Sequence, residues 1–529
     1  MTKPITLVCK DYNPIPRCAK EPGNENVSID PQNCSEQDIL CKLYETIQKD
    51  KVSRSTRLKR WKGKIWSDKL VGVSWLNLGD TKANEQNNIA LIIKPRFGNS
   101  EFMAFMLSKV LEDEDAYKFL DAEDKEDAET KENKEDKEDA EAKENKKEEP
   151  LKFFEIMDKD PKVPVDAEHQ KDFLIFQIVL FMNRLHELCQ KTIRYQPVFV
   201  KENLLGKVKG RILINEQLRV NEAVGRQDRM YCQFQKLSID CLENRILKAA
   251  MEKSMRYLAQ KGLITSLSHL TEQYAYCSRI LQSVTLTDIR PQDFKGLRFN
   301  GVFRLYKKAT ELAKPIIEGI GLADSDIENN KITEVPPYYI NITLLFEYYC
   351  RVLVKEALNA IGGYSLKEYY TFKEINSRKY QDFNVFDDDK KSGILSPFLI
   401  PDIWIEKRDE KRYILDVKYT DLESGSKDKD RARRHTHQLL AYGYKFNADG
   451  LGLIYPRKNT ENNNNEKIFE KNIEEVKEQL NKLIFNNTSH HINQLENPDK
   501  TSKTNKTKDK PPDLPPFVAI ALTLPPSPD

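Results

Sequence analysis

Residues 401–418 read PDIWIEKRDEKRYILDVK and carry two carboxylates and an amine at a spacing that suits phosphate chemistry. Residues 403–405 form one short apolar run and residues 413–419 a second, and the charged stretch between them predicts an exposed hairpin turn. Side chains alternate along a strand, so Asp416 and Lys418 share one face and Val417 takes the other. Asp402 lies at the start of the preceding strand, beside that face. Asp402 and Asp416 are therefore expected to hold Mg²⁺, which takes one or two carboxylates and fills its shell with water and phosphate oxygens. Lys418 would position the attacking water, whose pKa the cation lowers. The competing reading is a solvated hairpin with a surface ion pair. Against it, Asp416 sits between Leu415 and Val417, where a carboxylate without a partner is costly.

Two helices must complete such a site. Downstream, Gln438 and Tyr442 stand four apart and share one helix face, placed to support the site or, for Tyr442, to contact DNA. Arg433 and Arg434 belong to a basic cluster at the N-terminal end of that helix and are expected to meet DNA phosphates. Upstream, Glu347 lies on a helix predicted over 342–358 and would join the metal ligands or the groups that orient them. An exposed helix carboxylate is the alternative for Glu347. Nearer the start, Arg54, Arg57, Lys59, Arg60, Lys62 and Lys64 interleave with Trp61 and Trp66. This mixture suits a nucleic-acid backbone with stacked bases, a partner protein, or an ordinary basic hairpin.

Pro401-Asp402, Asp416-Val417-Lys418 and the Gln438/Tyr442 helix together resemble the PD-(D/E)xK nucleases. Further segments resemble the McrC family, the nuclease subunit of GTP-dependent, modified-cytosine (McrBC-type) restriction systems. They are Ala90 to Arg96, Gly210-Arg211-Ile212, Cys232, residues 240–248, Leu344-Leu345-Phe346-Glu347 and residues 451–456, in that order. The resemblance implies a Mg²⁺-dependent DNA endonuclease with Glu347, Asp402, Asp416, Lys418 and Gln438 at its centre. It also implies methylated DNA as substrate and docking, through the N-terminal region, on a hexameric AAA+ GTPase that the chain stimulates. Two other classes stay open: a non-catalytic adaptor of a motor NTPase, and a stand-alone DNA repair nuclease.

The expected fold is a multidomain α/β protein. A β-rich docking domain spans 1–111, a mostly helical middle 151–335, and a restriction-endonuclease-like α/β core 336–490. Residues 112–150 are low-complexity, with KEDAETKENK recurring as KEDAEAKENK after 12 residues, and are too polar to bury a core. Residues 497–529 read as a disordered tail. The net charge of +2 conceals −11 over residues 111–150, which leaves +13 on the remainder, a balance that suits DNA. Nine scattered cysteines, none in CxxC spacing, exclude a thiolate zinc site and point to reduced thiols in a cytoplasm. His186 and Cys189, three apart, read as packed core residues rather than ligands. The longest apolar run, 173–182, is too short to span a bilayer. GxxxxGK[ST] does not occur, so no nucleotide site is expected in this chain and a partner must supply the GTPase.

Overall fold

The computed structural model describes residues 6–10, 14–15, 27–30, 58–61, 64–67, 69–77, 88–113, 154–157, 160–299, 303–319, 333–367, 401–407, 411–420, 422, 429–458, 465–485 and 515–525. They form a mixed α/β protein in two compact units, residues 1–165 with 334–529, and residues 166–333. The acidic repeat, most of the basic-aromatic segment's side chains and the Arg433 side chain lie outside the described residues.

The first unit has a six-stranded and a five-stranded sheet, and a small antiparallel sheet of Pro14–Ile15, Lys64–Ser67 and Leu58–Trp61. Strands β1 (Thr6–Lys10), β2 (Val27–Asp30), β3 (Leu70–Asn77) and β4 (Asn88–Lys94) precede helix α1 (Ser100–Glu112) and strand β5 (Phe154–Ile156). Strand β6 (Tyr338–Asn341) returns much later in the chain, and the six order as β2-β1-β4-β3-β6-β5. Pairing is antiparallel except between β1 and β4, where Leu7 lies opposite Leu91. Ile89 to Ile93 of β4 are buried without a break, as a central strand covered on both faces requires. Gly72 of β3 has φ +148°, and a Cβ there would lie 2.1 Å from the Tyr338 carbonyl oxygen of β6. Gly72→Ala is therefore expected to destabilise the unit by about 2–4 kcal/mol, read by chemical or thermal unfolding. A variant that melts with the wild type would contradict this β3–β6 register.

Strand β6 runs directly into α2 (Ile342–Ile361), whose N-cap is Asn341; its side chain accepts the Leu344 N–H at 3.2 Å. The second sheet follows: β7 (Ser365–Leu366), β8 (Ile403–Lys407) and β9 (Lys411–Val417), then α3 (Lys429–Phe446), β10 (Gly450–Lys458), α4 (Asn465–Phe485) and β11 (Phe517–Leu524). Its order is β7-β8-β9-β10-β11, with β8 and β9 an antiparallel hairpin. β9, β10 and β11 run parallel, which is why a helix separates each from the next. Trp404, Ile414, Leu439, Tyr442, Phe446, Leu451 and Leu453 form the buried layer between the sheet and α3. Phe102 of α1, Tyr349 of α2 and Phe469 of α4 make a second aromatic layer, with ring centroids 5.8 and 6.0 Å apart.

One expectation needs correction. The tail predicted over 497–529 contains β11, whose Ile520, Leu522 and Leu524 are fully buried. Asn472 of α4 clamps β11 by exchanging hydrogen bonds with the Thr523 backbone at 3.0 and 2.8 Å. The surrounding Lys, Thr and Pro content hides eight residues that a parallel neighbour makes into a strand. β6 also pairs with β3, so N-terminal strands and the C-terminal core share one unit, and residues 166–333 form the other.

The second unit packs helices Ala167–Lys191, Leu242–Gln260, Ser268–Ile280 and Arg304–Gly319 with an antiparallel sheet of Gln196–Leu205, Arg229–Ser238 and Arg211–Ile212. His186 and Cys189 are packing residues: the imidazole meets Tyr276 edge-on at 5.0 Å, and Cys189 is buried. Among the described residues no helix is long and apolar enough to cross a membrane.

Candidate active site

The β8–β9 hairpin sets the geometry. Ile403 lies opposite Leu415, so Asp402, one residue earlier, reaches the end of β9. There an Asp402 carboxylate oxygen accepts the Val417 N–H at 2.7 Å. Asp416 is fully buried, flanked by Leu415 and Val417 inside the sheet. Lys418 follows the strand end, where its backbone N–H donates to the Ile454 carbonyl at 2.8 Å. Its ammonium turns back to lie 2.8 Å from Asp416 Oδ2. The alternation read from the sequence places these two groups on one face, as expected.

Glu347, on the second turn of α2, faces the same charges. Burial pushes its carboxyl up to about 7, with Asp416 raising it and Lys418, Arg351 and Lys69 opposing. Burial also raises Asp402 well above the carboxylate range, helped by the negative charges of Glu347 and Asp416. Asp416 is raised by burial as well, against the pull of Lys418. Burial acts to lower the Lys418 ammonium, but the charges of Asp402 and Asp416 outweigh it and hold the pKa up. Three acids thus share a low-dielectric site with one ammonium beside them, an arrangement that disfavours full ionisation of the acids.

Helix α3 closes the site from the side. Gln438 Nε2 donates to the Tyr442 hydroxyl at 2.8 Å, the bond that their four-residue spacing allows. Burial and the charges of Asp416 and Asp402 raise the Tyr442 phenol, which sets its hydroxyl beside the acids. Tyr442 is only 2% exposed, so its ring is a core residue and not placed for the expected contact with DNA. Arg434 is exposed on the same helix.

Two cations in the site went unread in the sequence. Arg351 is four residues beyond Glu347, and this acid–base spacing on one helix face could have revealed it. Lys69 carried no local signal; it arrives because its carbonyl accepts the Ile342 N–H at 3.2 Å where β6 passes into α2.

The donor set suits a hard divalent cation. Asp416 is within hydrogen-bonding reach of Asp402, and the Lys418 ammonium lies 2.8 Å from its Oδ2, so two carboxylates crowd one point where a cation would offset their charge. Among the described residues no three His, Cys, Asp or Glu side chains converge closely enough to hold a metal by themselves. Asp402 and Asp416 are the carboxylates that would hold a Mg²⁺, with water and phosphate completing its shell.

A family profile described as "McrBC 5-methylcytosine restriction system component" matches residues 153–456. No curated protein matches the chain. Among solved structures it is similar to a refined half-complex from the tetradecameric assembly of Thermococcus gammatolerans McrB AAA+ hexamers with bound McrC. That match has 15% identity over 85% of this chain and 87% of the other, with a TM-score of 0.32. A cryo-EM structure of the Thermococcus gammatolerans McrBC complex matches at 17% identity over 67% of this chain and 88% of the other, with a TM-score of 0.26.

Proposed function

The chain belongs to the family of McrBC 5-methylcytosine restriction system components, and from that premise we propose that it is the system's DNA endonuclease subunit, with a PD-(D/E)xK core. The observation that carries the proposal is the meeting of Glu347, Asp402, Asp416 and Lys418 in one buried site. Asp402 and Asp416 would hold Mg²⁺, which when bound supplies charge stabilisation at the phosphate and a more acidic water. Lys418, kept charged by the two aspartates, offers N–H donors to the attacking water or to a phosphate oxygen. Glu347, with a pKa near 7, is of the strength to take a proton from water at neutral pH. Tyr442 and Gln438 fix the polar wall behind the acids and exclude solvent from it. The exposed Arg434 suits the DNA backbone.

The subunit acts with a hexameric AAA+ GTPase on methylated DNA. Besides the N-terminal region, the 166–333 unit offers a surface for docking. In that unit Phe199, Leu205, Ile214, Val224 and Leu237 are each more than 60% exposed, and Lys201, Arg211, Arg219 and Arg226 lie among them in the chain. Exposed large apolar residues with basic neighbours in the chain are of the kind an interaction surface uses.

The test is cleavage of methylated and unmethylated plasmid by the full chain with Mg²⁺, with and without the co-encoded GTPase and GTP. Cleavage confined to methylated plasmid with partner and GTP is expected. Cleavage without nucleotide would move the assignment to a stand-alone nuclease. GTPase stimulation with no cleavage under any condition would make the chain an adaptor.

A further inference from the structure

Strand β4 ends at Lys94 because Pro95 has no N–H to continue the ladder, and the chain then turns through Gly98, φ +74°, into α1. The two residues in this turn, Arg96 and Phe97, reach across more than 300 positions of sequence to Tyr419, which follows Lys418 directly. The Arg96 guanidinium donates to the Tyr419 carbonyl oxygen at 3.0 Å. It also lies over two rings, 5.5 Å from the centroid of Phe97 and 5.7 Å from that of Tyr419. The Tyr419 hydroxyl donates to the Phe97 carbonyl at 3.1 Å, and the two rings meet edge to face at 5.2 Å. On its other side the Tyr419 ring packs at 5.3 Å on Phe346, the residue before Glu347. Phe97, Tyr419 and Phe346 are all buried.

One ring is thus held between the neighbour of Glu347 and an N-terminal arginine, and its backbone is continuous with Lys418. We infer that Arg96 is a positioning residue for DNA cleavage, acting through Tyr419 to hold the Lys418 ammonium over Asp416. The inference rests on the nuclease reading. Arg96 is suited to this task because its planar fork can lie flat against a ring while donating in its own plane, a geometry that lysine's tetrahedral ammonium does not offer. The cleavage machinery is then not confined to the C-terminal sheet; the end of β4 is part of it.

The experiment measures kcat and KM for methylated plasmid with Arg96→Ala and Arg96→Lys, each as the full chain with its GTPase partner, GTP and Mg²⁺. Loss of the clamp lets Lys418 shift, and a misplacement of about 1 Å can cost on the order of 100-fold. Arg96→Ala is expected to lower kcat by about 10- to 100-fold, with KM for DNA unchanged within about twofold. Arg96→Lys, which keeps a donor for the Tyr419 carbonyl but not the stacking, should fall between the two and carries the test if the alanine variant does not fold. Circular dichroism and active-site titration correct for unfolded protein. A wild-type kcat in folded Arg96→Ala, or a loss wholly in KM, would overturn the inference and leave the nuclease reading intact. Absence of cleavage by the wild type would overturn both.

Discussion

Asp416→Asn is expected to abolish Mg²⁺-dependent DNA cleavage, by on the order of 10³-fold or more, while GTPase binding and stimulation stay at wild-type levels. The substitution is nearly isosteric, so the sheet around Leu415 and Val417 has no reason to move. What it removes is the charge on a fully buried group that lies 2.8 Å from the Lys418 ammonium and within hydrogen-bonding reach of Asp402. Loss of that charge takes away a cation ligand and frees the ammonium from its anchor. The same change relieves a burial penalty, since burial already raises the Asp416 pKa. The variant should therefore melt at or above the wild-type temperature without Mg²⁺. Inactivity with undiminished stability separates loss of chemistry from loss of fold. A cleaving Asp416→Asn protein would remove the assignment of Asp416.

The second large effect is on stability against pH. Glu347 has a folded pKa of about 7 against an ordinary 4.5, so the folded chain holds this proton more tightly than the unfolded one. The sign is fixed by that difference: the contribution is fully present below about pH 4.5 and is lost as pH rises through about 7. Its size is on the order of 3 kcal/mol, and the raised pKa values of Asp402 and Asp416 act in the same direction. Glu347→Gln carries an amide that does not titrate, so the difference in unfolding free energy between wild type and variant should grow between pH 5 and pH 8, with the wild type the weaker at pH 8. Mg²⁺ binds the ionised acids and should raise the wild-type melting temperature more at pH 8 than at pH 5. Urea unfolding at the two pH values, with and without Mg²⁺, measures both. A difference that does not change with pH would show that Glu347 is already ionised throughout this range.

Much of this site was legible in the chain before its fold. The period of two along β9 placed Asp416 and Lys418 together, and the helical spacing placed Gln438 against Tyr442. These are local relations, and local periodicity carries them. Tyr442 shows the limit: a phenol on an amphipathic helix suits a core or a DNA groove, and only its 2% exposure decides for the core. Lys69 and Arg96 were invisible as site residues because a backbone hydrogen bond to Ile342 and a contact with Tyr419, each spanning more than 270 positions, bring them in. β6 was missed for the same reason: four residues between Pro337 and a helix become a strand only when β3 and β5 lie on either side. β11 was masked by composition, because a window rich in Pro, Lys and Thr outweighs FVAIALTL until β10 is there to pair with it.

Everything proposed for the chemistry depends on two acids from adjacent strands gripping one ion. Crystals of the chain soaked in Mn²⁺, a close substitute for Mg²⁺, would reveal that ion directly through its anomalous scattering. A single peak bonded to both Asp402 and Asp416, and absent from Asp416→Asn crystals, is the predicted result. Mn²⁺ bound elsewhere with this site empty, or bound to Asp402 alone and unaffected by the Asp416 substitution, would contradict it.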